Sequence, residues 1–462
     1  MAVVQLITTG HWSLVTAHRS LNAAMLLLGS IIFIATLVLV VVHPRRVPEW
    51  LAALGGGAAM LLLGIVTFAQ AAHVLWDNLN VFGFFLGLMT ISVLAESAGF
   101  FDALARLAAR FSGNSSRRLF LNVMLIGTLI TVFLTNDATA LILTPLVYAL
   151  VVRLRLEPLP FMFATTFIAD TASFVLPVSN PINVLVLTAF PHDLWDYLRH
   201  LLLPAVLVIA GNIIIFLWIF RADLRRPFDP SLVDSAPGAA VPVHGRWFRY
   251  TVISLGIIAL AYVLASAFRW PLSFVALGGA LLLLVGYLLT LRVQWAGEGS
   301  RAGRALARML GTGISWPIFG FIAGMLLLVQ GVENLGITAA FGHWLIALSG
   351  GTTWGAVPTS VVGAAVGSNA INNVPMALVM TSAIRASTPV GGLSDVFVYG
   401  TIVGADLGPN ITTVGSLATM LWLLILRRRG LDVSPLAYFR LGIVVTPVLL
   451  LLAIVALWLT SL

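Results

Sequence analysis

Of the 462 residues, 60% are hydrophobic and only 9% charged, with a mean hydropathy of +1.04 and a formal net charge of +8. A soluble domain carries roughly 25% charged residues, so the composition excludes an ordinary soluble enzyme and describes a polytopic membrane protein. The chain has no cysteine, which removes disulfides, thiolate metal sites and thiol chemistry. Its eight histidines lack metal-ligand spacing, and neither a metal nor a cofactor is expected.

Residues 1–20 form an N-terminal segment ahead of the first apolar run, 21–42, which is too long for a signal-peptide core and lacks a small-residue cleavage site; a retained span is expected. Further spans are expected at 51–72, 81–99, 200–220, 248–268, 272–291, 314–332 and 441–462. Two longer runs, 159–190 and 396–426, read as crossings with a broken middle. Segments 119–152 and 357–386 are different. The arms flanking Asn136 and Asp137 are 17 and 15 residues, and at 1.5 Å per residue arms of that length reach roughly 22–26 Å, short of the roughly 30 Å hydrocarbon core. Both segments therefore read as re-entrant hairpins, giving ten crossings and two hairpins in an all-α protein.

All 25 basic residues are arginine. With the loops after the first and third spans placed in the cytoplasm, that side receives 21 of the 25, and only Arg19, Arg199, Arg269 and Arg385 fall outside. The positive-inside rule then puts both termini outside. The net charge reflects topology and contact with anionic lipid, not a nucleic-acid surface. The two hairpins enter from opposite sides, so the chain reads as two inverted repeats, 21–220 and 247–462, joined by a cytoplasmic linker at 221–246. Spacing agrees: Glu96 and Glu333 are 237 apart, and Asn136 and Asn372, Asp170 and Asp406, and Asn180 and Ser416 are each 236 apart. Inverted repeats with broken helices meeting near the midplane are the architecture of secondary transporters.

The polar residues inside apolar runs are the candidate site. One cluster lies in FLTNDATALILTP at 133–145, with Asn136, Asp137 and Thr139; its counterpart is GSNAINNVP at 367–375, with Asn372 and Asn373. The breaks carry Ser179 and Asn180 in one half and Gly408, Thr412 and Ser416 in the other. Unwound backbone at membrane depth is tolerated only where protein buries it or it lines a wet cavity, and half-helix ends there present free N–H and carbonyl groups. An ionised carboxylate costs several kcal/mol or more in such surroundings unless solvated, paired or protonated. Asp137, Asp170 and Asp406 are therefore the expected proton carriers. Glu96 and Glu333, at the ends of their spans, read as helix caps, and His73, His192 and His200 as solvated interfacial residues.

These motifs, together with FIADTASFVLPVSNPINV at 167–184 and GADLGPNITTVGSLATMLW at 404–422, resemble the arsenite/antimonite efflux permeases, the membrane subunit of arsenical pumps within the ion transporter superfamily. The similarity runs over most of the chain from about residue 20. It implies a proton-coupled exporter of trivalent arsenic and antimony hydroxides in a prokaryotic inner membrane, in some relatives energised by a soluble ATPase. It also implies a scaffold and a mobile transport domain, with substrate held between hairpin tips and broken helices. Asn410 stands where the resemblance leads one to expect a basic residue. A sodium- or proton-coupled organic-anion symporter on the same fold is the first alternative; the scarcity of fixed positive charge at the tips weighs against it. A passive small-solute channel is the second, and it would need no embedded carboxylates. No nucleophile–base pair or metal-ligand cluster suggests an enzyme.

Overall fold

The computed structural model describes residues 23–42, 47–190, 192–234, 245–294, 299–387 and 392–461. The N-terminal segment 1–20 and residues 235–244 of the linker lie outside the described residues. Among those described, twenty helices make up the fold and no strand is present beyond one isolated bridge, Ser115 to Pro227.

After α1 (Ala23–Val42) and α2 (Glu49–Leu62) come α3 (Phe68–Asp77), α4 (Leu79–Ser97), α5 (Phe100–Arg110), α6 (Ser116–Phe133) and α7 (Asn136–Arg153). The first half ends with α8 (Pro158–Thr171), α9 (Pro181–Ala189) and α10 (Leu194–Ile219). The second half begins with α11 (Gly245–Ala267), α12 (Leu272–Gln294) and α13 (Gly299–Gly313). It continues with α14 (Pro317–Asn334), α15 (Ile337–Leu348), α16 (Thr353–Ile371), α17 (Asn373–Ser387), α18 (Leu393–Leu407), α19 (Leu417–Arg428) and α20 (Pro435–Ser461). From α4 to α10 and from α14 to α20 the order is the same: long helix, short helix, helical hairpin, helix–break–helix, long helix. Both lead helices end at a glycine in the left-handed region, Gly99 and Gly336, each with φ +76°, where an L side chain would be strained.

Nine described helices are long and apolar enough to cross a bilayer. They include both 18-residue arms of the first hairpin, α6 and α7, which exceed the expected 17 and 15 because Ser115 caps α6 and α7 runs from Asn136 to Arg153. The expected single crossing at 51–72 is instead two helices. Gly64 (φ +70°) ends α2, and Thr67 with Gln70 forms a capping box that starts α3. Continuous hydropathy hides such a break, because its cause is a glycine torsion and one hydroxyl.

Each lead helix is gripped by a helix from outside its own half. Helix α2 packs on α14 and α12 packs on α4. A Cβ on Gly324 would stand 2.3 Å from the Ala53 backbone, and one on Gly87 would stand 2.4 Å from the Ala276 backbone. These glycines are 237 residues apart, so the close crossing is itself part of the repeat, in the manner of small-residue contacts between membrane helices. Large apolar side chains remain exposed on the outer faces, among them Ile253 and Leu260 on α11, Leu281 and Leu289 on α12, and Leu451 and Leu459 on α20. Helices apolar on faces that protein does not cover fit a lipid surround.

Candidate functional site

The two breaks meet in the middle of the bundle. Asp170 closes α8 and Asp406 closes α18, both buried. Past each aspartate the helix unwinds, and a polar residue restarts it. The Asn180 Oδ1 accepts from the Ile182 N–H at 3.1 Å, and the Ser416 Oγ accepts from the Ala418 N–H at 3.1 Å, as N-caps do. Each restart then reaches the aspartate of the opposite half. Asn180 Nδ2 donates to Asp406 Oδ1 at 2.7 Å, and Thr419 Oγ1 donates to Asp170 Oδ2 at 3.4 Å. Thr171 joins the network, accepting from Asn212 Nδ2 at 2.9 Å and from Asn410 Nδ2 at 3.5 Å. The remaining Asp406 oxygen, Oδ2, is buried and has no hydrogen-bond partner among the described residues.

The hairpin tips flank this core. At the first, Thr135 Oγ1 accepts from the Ala138 N–H (3.1 Å) and Asn136 Oδ1 from the Asp137 N–H (2.9 Å), while Asn136 Nδ2 donates to Asp170 Oδ1 at 3.5 Å. At the second, Asn372 has φ +73°, accepts from the Val374 N–H at 3.2 Å and donates to the Val414 carbonyl at 3.4 Å. The Asn373 N–H donates to the Gly415 carbonyl at 2.9 Å. Asp137 and Asn373 are 236 apart, and neither side chain has a hydrogen-bond partner among the described residues; Asp137 lines a cavity, whereas Asn373 is buried.

Other residues expected to face solute are engaged elsewhere. Ser179 Oγ donates to the Val132 carbonyl at 3.0 Å and fastens the break to the hairpin arm. Thr139 Oγ1 shares a 2.8 Å bond with Thr131 Oγ1 across the first hairpin. Thr412 Oγ1 donates to Asn369 Oδ1 at 2.7 Å. Gly408 is needed for packing, since a Cβ there would come within 2.6 Å of the Ala365 carbonyl oxygen.

The structure also finds participants that the sequence reading set aside. Glu96, expected to cap a helix, lines a cavity of about 160 Å³ together with Ser92, Thr135, Asp137 and Ser315. Its counterpart Glu333 lines a second cavity of about 490 Å³ with His73, Asp77, Thr381 and Arg385, and accepts from Ser382 Oγ at 2.9 Å. The 237-residue interval was the available signal. His192, expected to be solvated, is half-buried and bonds through Nε2 to Asp395 Oδ1 at 3.0 Å; the His200 ring stacks on Tyr399 with centroids 4.5 Å apart. Among the described residues, no group of three His, Asp or Glu could hold a metal ion.

This arrangement suits reversible capture of a small polar solute by neutral donors and acceptors beside carboxyl groups, and it holds no constellation for covalent chemistry. The sequence profile of the family described as arsenical pump membrane proteins matches residues 28–460. The arsenical pump membrane protein of Escherichia coli strain K12 is 32% identical over 430 residues, covering 92% of this chain and 96% of that protein. A putative arsenical pump membrane protein of Bacillus subtilis strain 168 is 24% identical over 441 residues, covering 92% and 98%. Among solved structures, the crystal structure of the Alcanivorax borkumensis YdaH transporter, described as having an unusual topology, superposes with a TM-score of 0.56 at 17% identity over 85% of this chain and 89% of that one, a likeness of fold alone. With these matches and its apolar helices, the protein is a multi-pass membrane transporter and not an enzyme, and the chain belongs to the arsenical pump membrane protein family.

Proposed function

We propose that the protein exports trivalent arsenite and antimonite, as their neutral hydroxides, in exchange for protons. Membership of the arsenical pump family supports arsenical efflux. The observation that carries the coupling is Asp137, whose side chain lines a cavity and has no hydrogen-bond partner among the described residues, together with the buried Asp170 and Asp406. A three-hydroxyl neutral solute can be held by amide, hydroxyl and carboxyl groups. With no cysteine in the chain, there is no thiolate to trap trivalent arsenic and slow its release. Export of a neutral solute gains nothing from the membrane potential directly, whereas each proton moving inward releases roughly 2.3 kcal/mol per 100 mV.

In this reading α6–α7 and α16–α17 are re-entrant hairpins, 21–220 and 247–462 are the inverted repeats, and 221–246 is the cytoplasmic linker, with both termini outside a prokaryotic inner membrane. The cavity with Glu96 and Asp137 is the cytoplasmic mouth, and the one with Glu333 is the outer mouth. The further partner in this reading is a soluble arsenical-pump ATPase. The test is arsenite uptake into everted vesicles under an imposed proton gradient without ATP. Accumulation abolished by a protonophore is expected. Protonophore-insensitive equilibration would instead indicate a channel, and sodium-dependent carboxylate flux would indicate a symporter.

A further inference from the structure

Away from both tips, at the opposite end of α6 from Asn136, the chain builds a cationic hollow that transport chemistry does not use. Beyond α10 the backbone turns through Asp223–Arg225 and is pinned to the start of α6. Three contacts do this: the bridge between Ser115 and Pro227, the Phe228 N–H to the Asn114 carbonyl at 3.1 Å, and Ser116 Oγ to the Arg226 carbonyl. Leu224 and Phe228 are buried beneath this turn. Arg221 and Arg225 are thereby brought beside Arg117 around a space of about 490 Å³.

No carboxylate lines that space, and no ion pair engages any of the three arginines among the described residues. Arg117 moreover sits in the first turn of α6, where the helix dipole disfavours a cation and favours an anion. The Arg221 guanidinium lies over the Trp218 ring, 4.9 Å from its centroid, and donates to the Trp218 carbonyl at 2.9 Å, which holds it in place. Below the charges the hollow continues along Ile214, Leu217 and Trp218 on the outer face of α10, with Ile214 and Trp218 each 65% exposed. Guanidiniums that no ion pair engages among the described residues match the bidentate geometry of a phosphodiester, and tryptophan belongs at the headgroup level of a bilayer.

We infer that Arg117, Arg221 and Arg225 form a binding site for the phosphodiester headgroup of an anionic phospholipid, whose acyl chains lie along Ile214 and Leu217. A free anion would use the arginines but gain nothing from the apolar floor that continues into the lipid-facing surface, and a soluble acidic partner could not reach it. The site anchors the turn after α10 against α6, and so holds the first hairpin's outer arm at a set depth.

The test uses the full chain in detergent, titrated with cardiolipin or with phosphatidylcholine, and bound lipid counted by native mass spectrometry. Cardiolipin is expected to be retained in preference to phosphatidylcholine. Each basic group at an anionic lipid surface contributes roughly fivefold. The triple variant R117Q/R221Q/R225Q should therefore weaken retention at least tenfold and R225Q alone by about fivefold. The charge-matched R427Q/R428Q/R429Q, outside the hollow, should weaken retention far less than the first triple variant does. All three target side chains lie on the surface, and R225Q guards against a misfolded triple variant. Equal loss in the two triple variants, no preference for cardiolipin, or full displacement by millimolar inorganic phosphate would each overturn the assignment.

Discussion

Asp137 and Asn373 occupy the same place on the two hairpin tips, 236 residues apart, and differ only in carrying a carboxyl or an amide. That difference gives a pseudo-symmetric site one ionisable and one neutral face. Asp137→Asn removes the asymmetry and breaks no side-chain hydrogen bond seen among the described residues, so folding should be retained while the rate of proton-driven arsenite uptake falls by at least about a hundredfold, the lower range for losing a proton-transfer group. Wild-type accumulation in that variant, measured in everted vesicles, would remove Asp137 from the coupling. Asp406 separates charge from structure in a second way. Asp406→Asn keeps an oxygen for Asn180 Nδ2 and should melt with the wild type, yet respond no longer to the proton gradient. Asp406→Leu strands that buried donor and should destabilise the protein by about 1–3 kcal/mol, read by thermal unfolding in detergent. At this scale the sequence identified the aspartates well, because a carboxyl in an apolar run is conspicuous. It misjudged Glu96, whose position at the end of α4 looks like a cap until α7 and the α13–α14 junction close a cavity around it. Nor could it tell that Ser179 and Thr139 are occupied, since their partners lie 47 and 8 residues away on the hairpin arms.

Helix contacts in this molecule are set by glycine where two backbones must nearly touch. Gly324 against Ala53 and Gly87 against Ala276 leave no space for a side chain. Gly324→Leu should therefore cost on the order of 3 kcal/mol or more, at the upper end of overpacking, unless α2 shifts. Gly278, in the neighbouring α12, has no atom within 4 Å of its would-be Cβ. Gly278→Ala should leave stability unchanged or raise it by about 0.5–1 kcal/mol, the helix-interior difference between the two residues. Equal melting temperatures for both variants would contradict the close crossing. The lengths and order of the helices were largely legible from hydropathy and Pro and Gly positions. The division of 51–72 into α2 and α3 was not, because both pieces are apolar and only the Gly64 torsion and the Thr67–Gln70 box separate them.

Across the whole molecule, several polar contacts outside the central site tie the two halves together. One is the 2.9 Å pair between Asp193, which caps α10, and Arg269, in the turn between α11 and α12. The hydrogen bond from Arg269 holds the Asp193 carboxyl below its ordinary value, with the Asp196 N–H adding to it. A carboxyl shifted downward contributes stability that is present above the unfolded value, roughly 3.9, and is lost as pH falls through the lower folded value. Arg269→Gln should accordingly lower the melting temperature slightly at pH 7 and at pH 5 alike. The difference from the wild type should vanish below about pH 3. Because both side chains reach solvent, added salt should shrink it as well.

Sequence alone determined that this chain lives in a membrane, that it is built from two related halves, and where each half interrupts its helices. Those properties are written in composition and in spacing along the chain, and they survive whatever the tertiary packing does. Only the folded structure decided that Asn180 serves Asp406 and Thr419 serves Asp170, bonds between residues 226 and 249 positions apart. It also decided that Glu96 shares a cavity with Asp137, whose side chain has no hydrogen-bond partner among the described residues. Hydrogen bonds of that reach depend on how the halves interlock, through the exchange of α2 and α12 and the glycine crossings beneath them, and no local pattern of residues encodes it.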